Sequence, residues 1–174
     1  MNLHSMIIPA YMNALGNLSG EVAKAVGWAG DSDISVDALL KAKLAPDMFP
    51  LETQIRFTCH QAREVVARLT DEPVPEIPQV SGLDALNALI DRTVGELAAV
   101  PADAFDGAEG RQVRLDLPNE MVFEMTGFEY VRDWAQPQFH FHRMTAYAIM
   151  RHLGVPLGKA DYVAHALKYL KSPV

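Results

Sequence analysis

The chain has 174 residues, 49% of them apolar and 21% charged, with eleven glycines and eleven prolines. Those proportions exclude disorder, collagen-like repetition and low complexity, and leave one globular domain over residues 1–174. A formal net charge of −7 argues against a nucleic-acid backbone or an anionic membrane surface as partner, because both are held through clustered Lys and Arg.

A chain of this length buries roughly 70% of its unfolded surface, so neither a disulfide nor a structural metal is needed for folding. The single cysteine, Cys59, has no internal partner, which fits a reducing compartment. No basic residue precedes the first apolar stretch, and no uninterrupted apolar run reaches the ~18 residues that a membrane span requires. The expectation is a cytoplasmic protein.

Leu3, Ile7, Tyr11, Leu15, Leu18, Val22 and Val26 recur at spacings of three and four, which predicts a first amphipathic helix ending near residues 27–30. Pro9 is tolerable there if the regular helix begins with it, and kinks the helix if it begins earlier. Ser35 reads as the N-cap of a short piece carrying Val36, Leu39 and Leu40. Pro46 and Pro50 then interrupt the pattern. From Pro50 the stripe Leu51, Ile55, Cys59, Ala62, Val66 and Leu69 predicts a second long helix.

Closely spaced prolines at 73, 75 and 78 favour an extended, polyproline-like linker. Ser81 with Asp84 three residues later looks like the start of a third helix carrying Leu86, Leu89, Ile90, Val94 and Leu97, closed by Pro101. Val113, Leu115 and Leu117 alternate with Arg114 and Asp116 ahead of a second apolar run at 121–125, the pattern of a small β-hairpin. Thr126 and Glu129 match a capping box. The fourth helix is therefore expected to start there, to bend at Pro137 and to end at Gly154. A terminal helix is expected over residues 161–170. The sum is an all-α protein: four amphipathic helices with a small hairpin before the fourth.

Six histidines are the obvious candidates for chemistry, since imidazole is both the commonest metal ligand and the usual acid or base near neutral pH. Residues two apart on a helix point nearly opposite ways, so only one of His140 and His142 can face the core. His152 would lie ~15 Å beyond His142 along the axis. His4 and His165 read as packing or surface residues. His60 lies in mid-helix beside the apolar stripe, where a polar ring needs a partner, and a His on helix two facing a His on helix four is how bundles build cofactor sites. On the residues alone, the reading of each as a half-buried histidine hydrogen-bonded to a neighbour is the favoured one.

Two other motifs fail. The stretch from Gly154 to Ala160 echoes a phosphate loop but has three residues between its glycines instead of four, and Ala in place of the Ser or Thr that holds magnesium. Cys59 and His60 diverge by ~100° on a helix and cannot form a nucleophile–base pair, so the thiol reads as buried and inert. Trp134, Phe139, Phe141, Tyr147 and, more weakly, Tyr11 are candidates for an aromatic pocket, though such spacing also suits a core.

The helix order, the His60 segment (Thr58-Cys59-His60-Gln61-Ala62) and the closing stretch from His142 to Pro156 resemble the DinB/YfiT-like superfamily of metalloenzymes. Leu44-Ala45-Pro46-Asp47-Met48-Phe49-Pro50 and Gly154-Val155-Pro156-Leu157-Gly158-Lys159 are similar to signatures of a branch of that superfamily whose function is uncharacterised. The resemblance covers nearly the whole chain. It implies an up-down four-helix bundle, a homodimer, and a pocket at one end of the bundle. Members of the metal-binding type place one His on helix two and two His four residues apart on helix four, three ligands with an open position.

Carried over, His60 matches the first ligand, His142 the last, and the middle ligand falls on Gln138, whose amide oxygen is a poorer donor for zinc or nickel. Glu64, one turn after His60, could add a carboxylate; His140 could serve only if Pro137 distorts the helix. Two readings follow. One is a divalent-metal-dependent hydrolase or thiol transferase with a degenerate triad. The other is a metal-free, dimeric protein that binds a small molecule or a partner, which the Gln138 substitution favours.

Overall fold

A computed structural model describes residues 2–171. Four long helices form the body: α1 (Leu3–Gly30), α3 (Leu51–Thr70), α4 (Leu83–Ala98) and α6 (Gln136–His152), with the short α2 (Val36–Lys41) between the first two. α3 packs on α4 and α6, and α1 closes the ring against the same two helices. Leu15, Leu18, Ile55, Ala62, Leu86 and Ile149 fill the centre. This is the all-α bundle expected from the stripes. Among the described residues, no helix is long and apolar enough to cross a membrane.

The ends of the elements show why they stop where they do. Asn2 caps α1 by accepting from the Ser5 amide at 3.0 Å, so Pro9 sits inside the helix with its ring exposed. Ser35 accepts from the Ala38 amide at 3.1 Å. α4 is capped by Gly82, not Ser81; the Ser81 hydroxyl instead donates to Glu52 at 3.0 Å. Gly154, at φ 104°, ends α6 in a Schellman motif: its amide donates to the Arg151 carbonyl and that of Val155 to Met150.

Strands β1 (Gln112–Asp116) and β2 (Val122–Thr126) form the antiparallel hairpin, with Val113 opposite Met125 and Leu115 opposite Phe123. Val113 and Leu115 are buried, and their neighbours face solvent, as the alternation requires. Both halves of the Thr126–Glu129 capping box are present. Gly127 passes so close to the chain at Ala108 that a Cβ would lie 2.0 Å from that carbonyl oxygen.

Two expectations are corrected. The fourth helix is not one α-helix bent at Pro137: it begins as a single turn, α5 (Gly127–Glu129), runs through a π-helical stretch Tyr130–Ala135, and only then continues as α6. The C-terminal segment is not one helix over 161–170 either. It consists of α7 (Lys159–Tyr162) followed by a 3-10 stretch Ala164–Tyr169.

Candidate functional site

The α3–α6 contact carries the polar cluster. Gln54 on α3 is buried, and its amide is oriented from both ends. Its Nε2 donates to the Phe49 carbonyl at 3.2 Å, which turns Oε1 toward His142 Nδ1 at 2.8 Å. Since a carbonyl oxygen can only accept, the proton of His142 resides on Nδ1 and its Nε2 is left as an acceptor. Burial pulls His142 down to about 4, and the neighbouring His60 adds to that fall. The ring is therefore neutral at physiological pH.

Aromatic side chains surround this imidazole. Phe57 lies 4.9 Å from it between ring centroids and Phe141 5.2 Å, edge-on, while Phe49 meets Phe57 at 5.2 Å. Phe49 and Phe141 are 57% and 56% exposed, so the His142 edge opens toward an apolar lip at the surface.

His60 lies deeper. Its Nε2 is 3.6 Å from Glu64 Oε2, too long for a hydrogen bond, and its buried Nδ1 has no partner among the described residues. Burial lowers its pKa, and Arg63 and Arg68 reinforce this against the opposing pull of Glu64. Glu64 is itself held by Arg68, whose Nε stands 2.7 Å from Oε1 and whose guanidinium also donates to the Arg114 carbonyl on the hairpin. Tyr130, from the first position of the π stretch, is fully buried beside this pair. Burial raises its hydroxyl well above the ordinary value, and Glu64 adds to that rise. The Tyr130 and Tyr11 hydroxyls are also buried without a described partner.

Gln138, one turn before His142 on α6, lines a surface hollow with Pro137 and Phe141. Trp134 packs on Phe123 of the hairpin at 5.5 Å. Tyr11 stacks on Phe139 at 3.8 Å and meets His140 edge-on, and its hydroxyl adds to the rise at Tyr130. Tyr147 packs against Tyr162. Cys59 is buried, and burial pushes its thiol up to about 12.

Two imidazoles, His60 on α3 and His142 on α6, are the nitrogen donors of this cluster, and Gln138 stands one turn before His142. Glu64 is paired with Arg68 through Oε1, with Oε2 toward His60. Among the described residues no group of three His, Cys, Asp or Glu side chains is placed to hold an ion. Catalytic zinc sites use three protein ligands.

Sequence reading missed Gln54, Tyr130 and a second buried pair. Arg143 on α6 and Glu21 on α1 are both fully buried and joined by two bonds of 2.8 Å. Arg143 also donates to the Ala14 carbonyl at 3.1 Å and lies 4.3 Å from the Tyr162 ring centroid. Asn17, one turn before Glu21, donates to the Tyr162 carbonyl and accepts from the His165 amide. These contacts dock the C-terminal segment on α1.

Residues 3–163 match the family described as a domain of unknown function, DUF1993. The chain belongs to the DUF1993 family. It is also similar, at 31% identity and a TM-score of 0.85, to the crystal structure of a DinB family member from Shewanella denitrificans, over 92% of this chain and 91% of that one. No curated protein matches. The DUF1993 fold seen here is thus a DinB-like bundle, and the cluster on α3 and α6 lies where two of its long helices meet.

Proposed function

We propose that this DUF1993 protein is a metal-independent binding protein that takes a small aromatic or amphipathic molecule over His142. The observation that carries the reading is the Gln54–His142 bond of 2.8 Å. It fixes the tautomer and leaves a neutral acceptor nitrogen beside Phe57 and Phe141. A ligand suited to that surface has an apolar body for the phenyl rings and one O–H or N–H group for the imidazole. The fixed charges nearby, Glu64 and Arg68, compensate each other, which disfavours a charged group on the ligand.

Elemental analysis of protein purified without an affinity tag, combined with a titration by benzyl alcohol followed through the His142 ring resonances, tests this. The expected result is saturable shifts of His142, lost in Gln54→Leu, from a protein with substoichiometric zinc and nickel. Stoichiometric metal that both His60→Ala and His142→Ala abolish would overturn it and favour the metal-dependent hydrolase or thiol transferase reading.

A further inference from the structure

A hollow lies on the side of α3 that carries Arg63, Val66 and Thr70. Val66 and Ala67, with Leu97 and Val100 at the end of α4, form its floor, and its volume is about 270 Å3. Its outer wall is the linker that leaves α3, with Pro73 and Pro75 over the opening.

The linker is fixed at both ends. Asp71 turns the chain through a left-handed conformation (φ 61°), and the Glu72 amide donates back to the Ala67 carbonyl at 2.8 Å. At the far end the Arg56 guanidinium donates to the Pro78 carbonyl at 3.3 Å and to Gln79 at 3.2 Å. Between these anchors the prolines hold extended geometry and resist collapse onto the helices. The hollow is a property of the fold, in the way that preformed ligand pockets are.

One cation stands at its edge. Arg63 Nε donates to Glu96 at 2.8 Å, and among the described residues neither terminal nitrogen of Arg63 has a hydrogen-bond partner. Its side chain is 22% exposed, so that end of the guanidinium is accessible yet partly desolvated. Glu96 is shared with Arg92, 3.7 Å away, which leaves the three-residue group with one net positive charge. Glu72 on the linker also lines the hollow but is exposed and solvated. The Thr70 hydroxyl is taken up by the Val66 carbonyl.

We propose that this hollow binds a small amphipathic carboxylate, its aliphatic or aromatic body on Val66, Leu97 and Val100 under the prolines and its carboxylate on the free edge of Arg63. A planar guanidinium edge is matched to a carboxylate's two oxygens, and partial burial strengthens the pairing. The site is separate from the His142 surface and stands or falls without it.

The test is a titration of the full-length, 15N-labelled protein with hexanoate, hexanamide and hexylamine, three probes with one chain and different heads. Hexanoate should shift the Val66, Thr70, Leu97 and Val100 amides saturably, bind more tightly than hexanamide, and leave hexylamine weakest. Arg63→Gln should weaken hexanoate roughly tenfold or more, the loss of a charge-assisted pair, with little effect on hexanamide. Val66→Phe should weaken both. Absence of saturable shifts at these amides, an order of heads with the amine first, or an Arg63→Gln protein that binds hexanoate like the parent would each overturn the proposal. The order of heads on the parent protein decides even if a variant fails to fold.

Discussion

Gln54 and His142 meet across the α3–α6 contact with 2.8 Å between Oε1 and Nδ1, and the same glutamine is held from behind by the Phe49 carbonyl. A residue with an apolar side chain at 54 frees the ring. In Gln54→Leu the His142 imidazole should therefore lose its single tautomer, visible as averaged 15N ring shifts, and stability should fall by about 1–2 kcal/mol from the unpaired, half-buried N–H. Unchanged ring shifts would separate Gln54 from the site.

Stability should depend on pH through the same ring. Folded His142 titrates at about 4 against 6.5 for the free side chain, so the unfolded chain binds more protons between those values. The contribution is complete above pH 6.5, falls as the pH drops toward 4, and changes no further below that. Solvent screening of a half-buried ring limits it to about 1–2 kcal/mol. Glu21, raised by burial, has the opposite sign, so the parent is compared with His142→Asn by chemical denaturation at pH 7.5, 5.5 and 4.5. The variant should lose less stability on acidification than the parent.

Arg143 and Glu21 form a fully buried pair whose removal from one side leaves a bare charge. Glu21→Gln should cost roughly 3–5 kcal/mol, whereas the apolar double variant Glu21→Leu with Arg143→Met should cost less than the sum of its single changes. Because Tyr162 packs on Arg143 and Asn17 holds the adjacent backbone, the singles should also raise amide exchange over residues 162–169. Additive losses in denaturant melts would contradict the pairing.

Gly127→Ala should destabilise by about 1–3 kcal/mol. The obstruction is the Ala108 carbonyl oxygen, 2.0 Å from where the Cβ would be, and a backbone atom cannot rotate away. Thermal melts of this variant, beside Gly95→Ala at a position with open space around it, isolate the steric cause from glycine's general flexibility.

Much of this architecture is written locally. The stripes of α1 and α3, the Ser35 cap, the Thr126–Glu129 box and the Gly154 terminus each depend on residues a few positions apart, which a sequence displays directly. The Ser81 expectation failed by one residue because its hydroxyl found Glu52, a partner 29 positions away. The π stretch Tyr130–Ala135 escaped because it adds a residue per turn and breaks the 3.6 period by which faces are read. Gln54 was missed since its bond to His142 spans 88 positions. Glu21 and Arg143 left a trace, each being a charge at a core position between apolar residues (Leu18 and Ala25; Phe139 and Ala146), where an unpaired charge is not tolerated.

His142, fixed by Gln54, is held neutral by burial, and His60 adds to the fall in its pKa. The most direct measurement is the pH titration of the His142 ring by NMR in the parent and in His60→Gln. His142 should titrate near 4 in the parent, and upward of that once the neighbouring imidazole is gone. A His142 that titrates near 6.5 and is indifferent to residue 60 would contradict it.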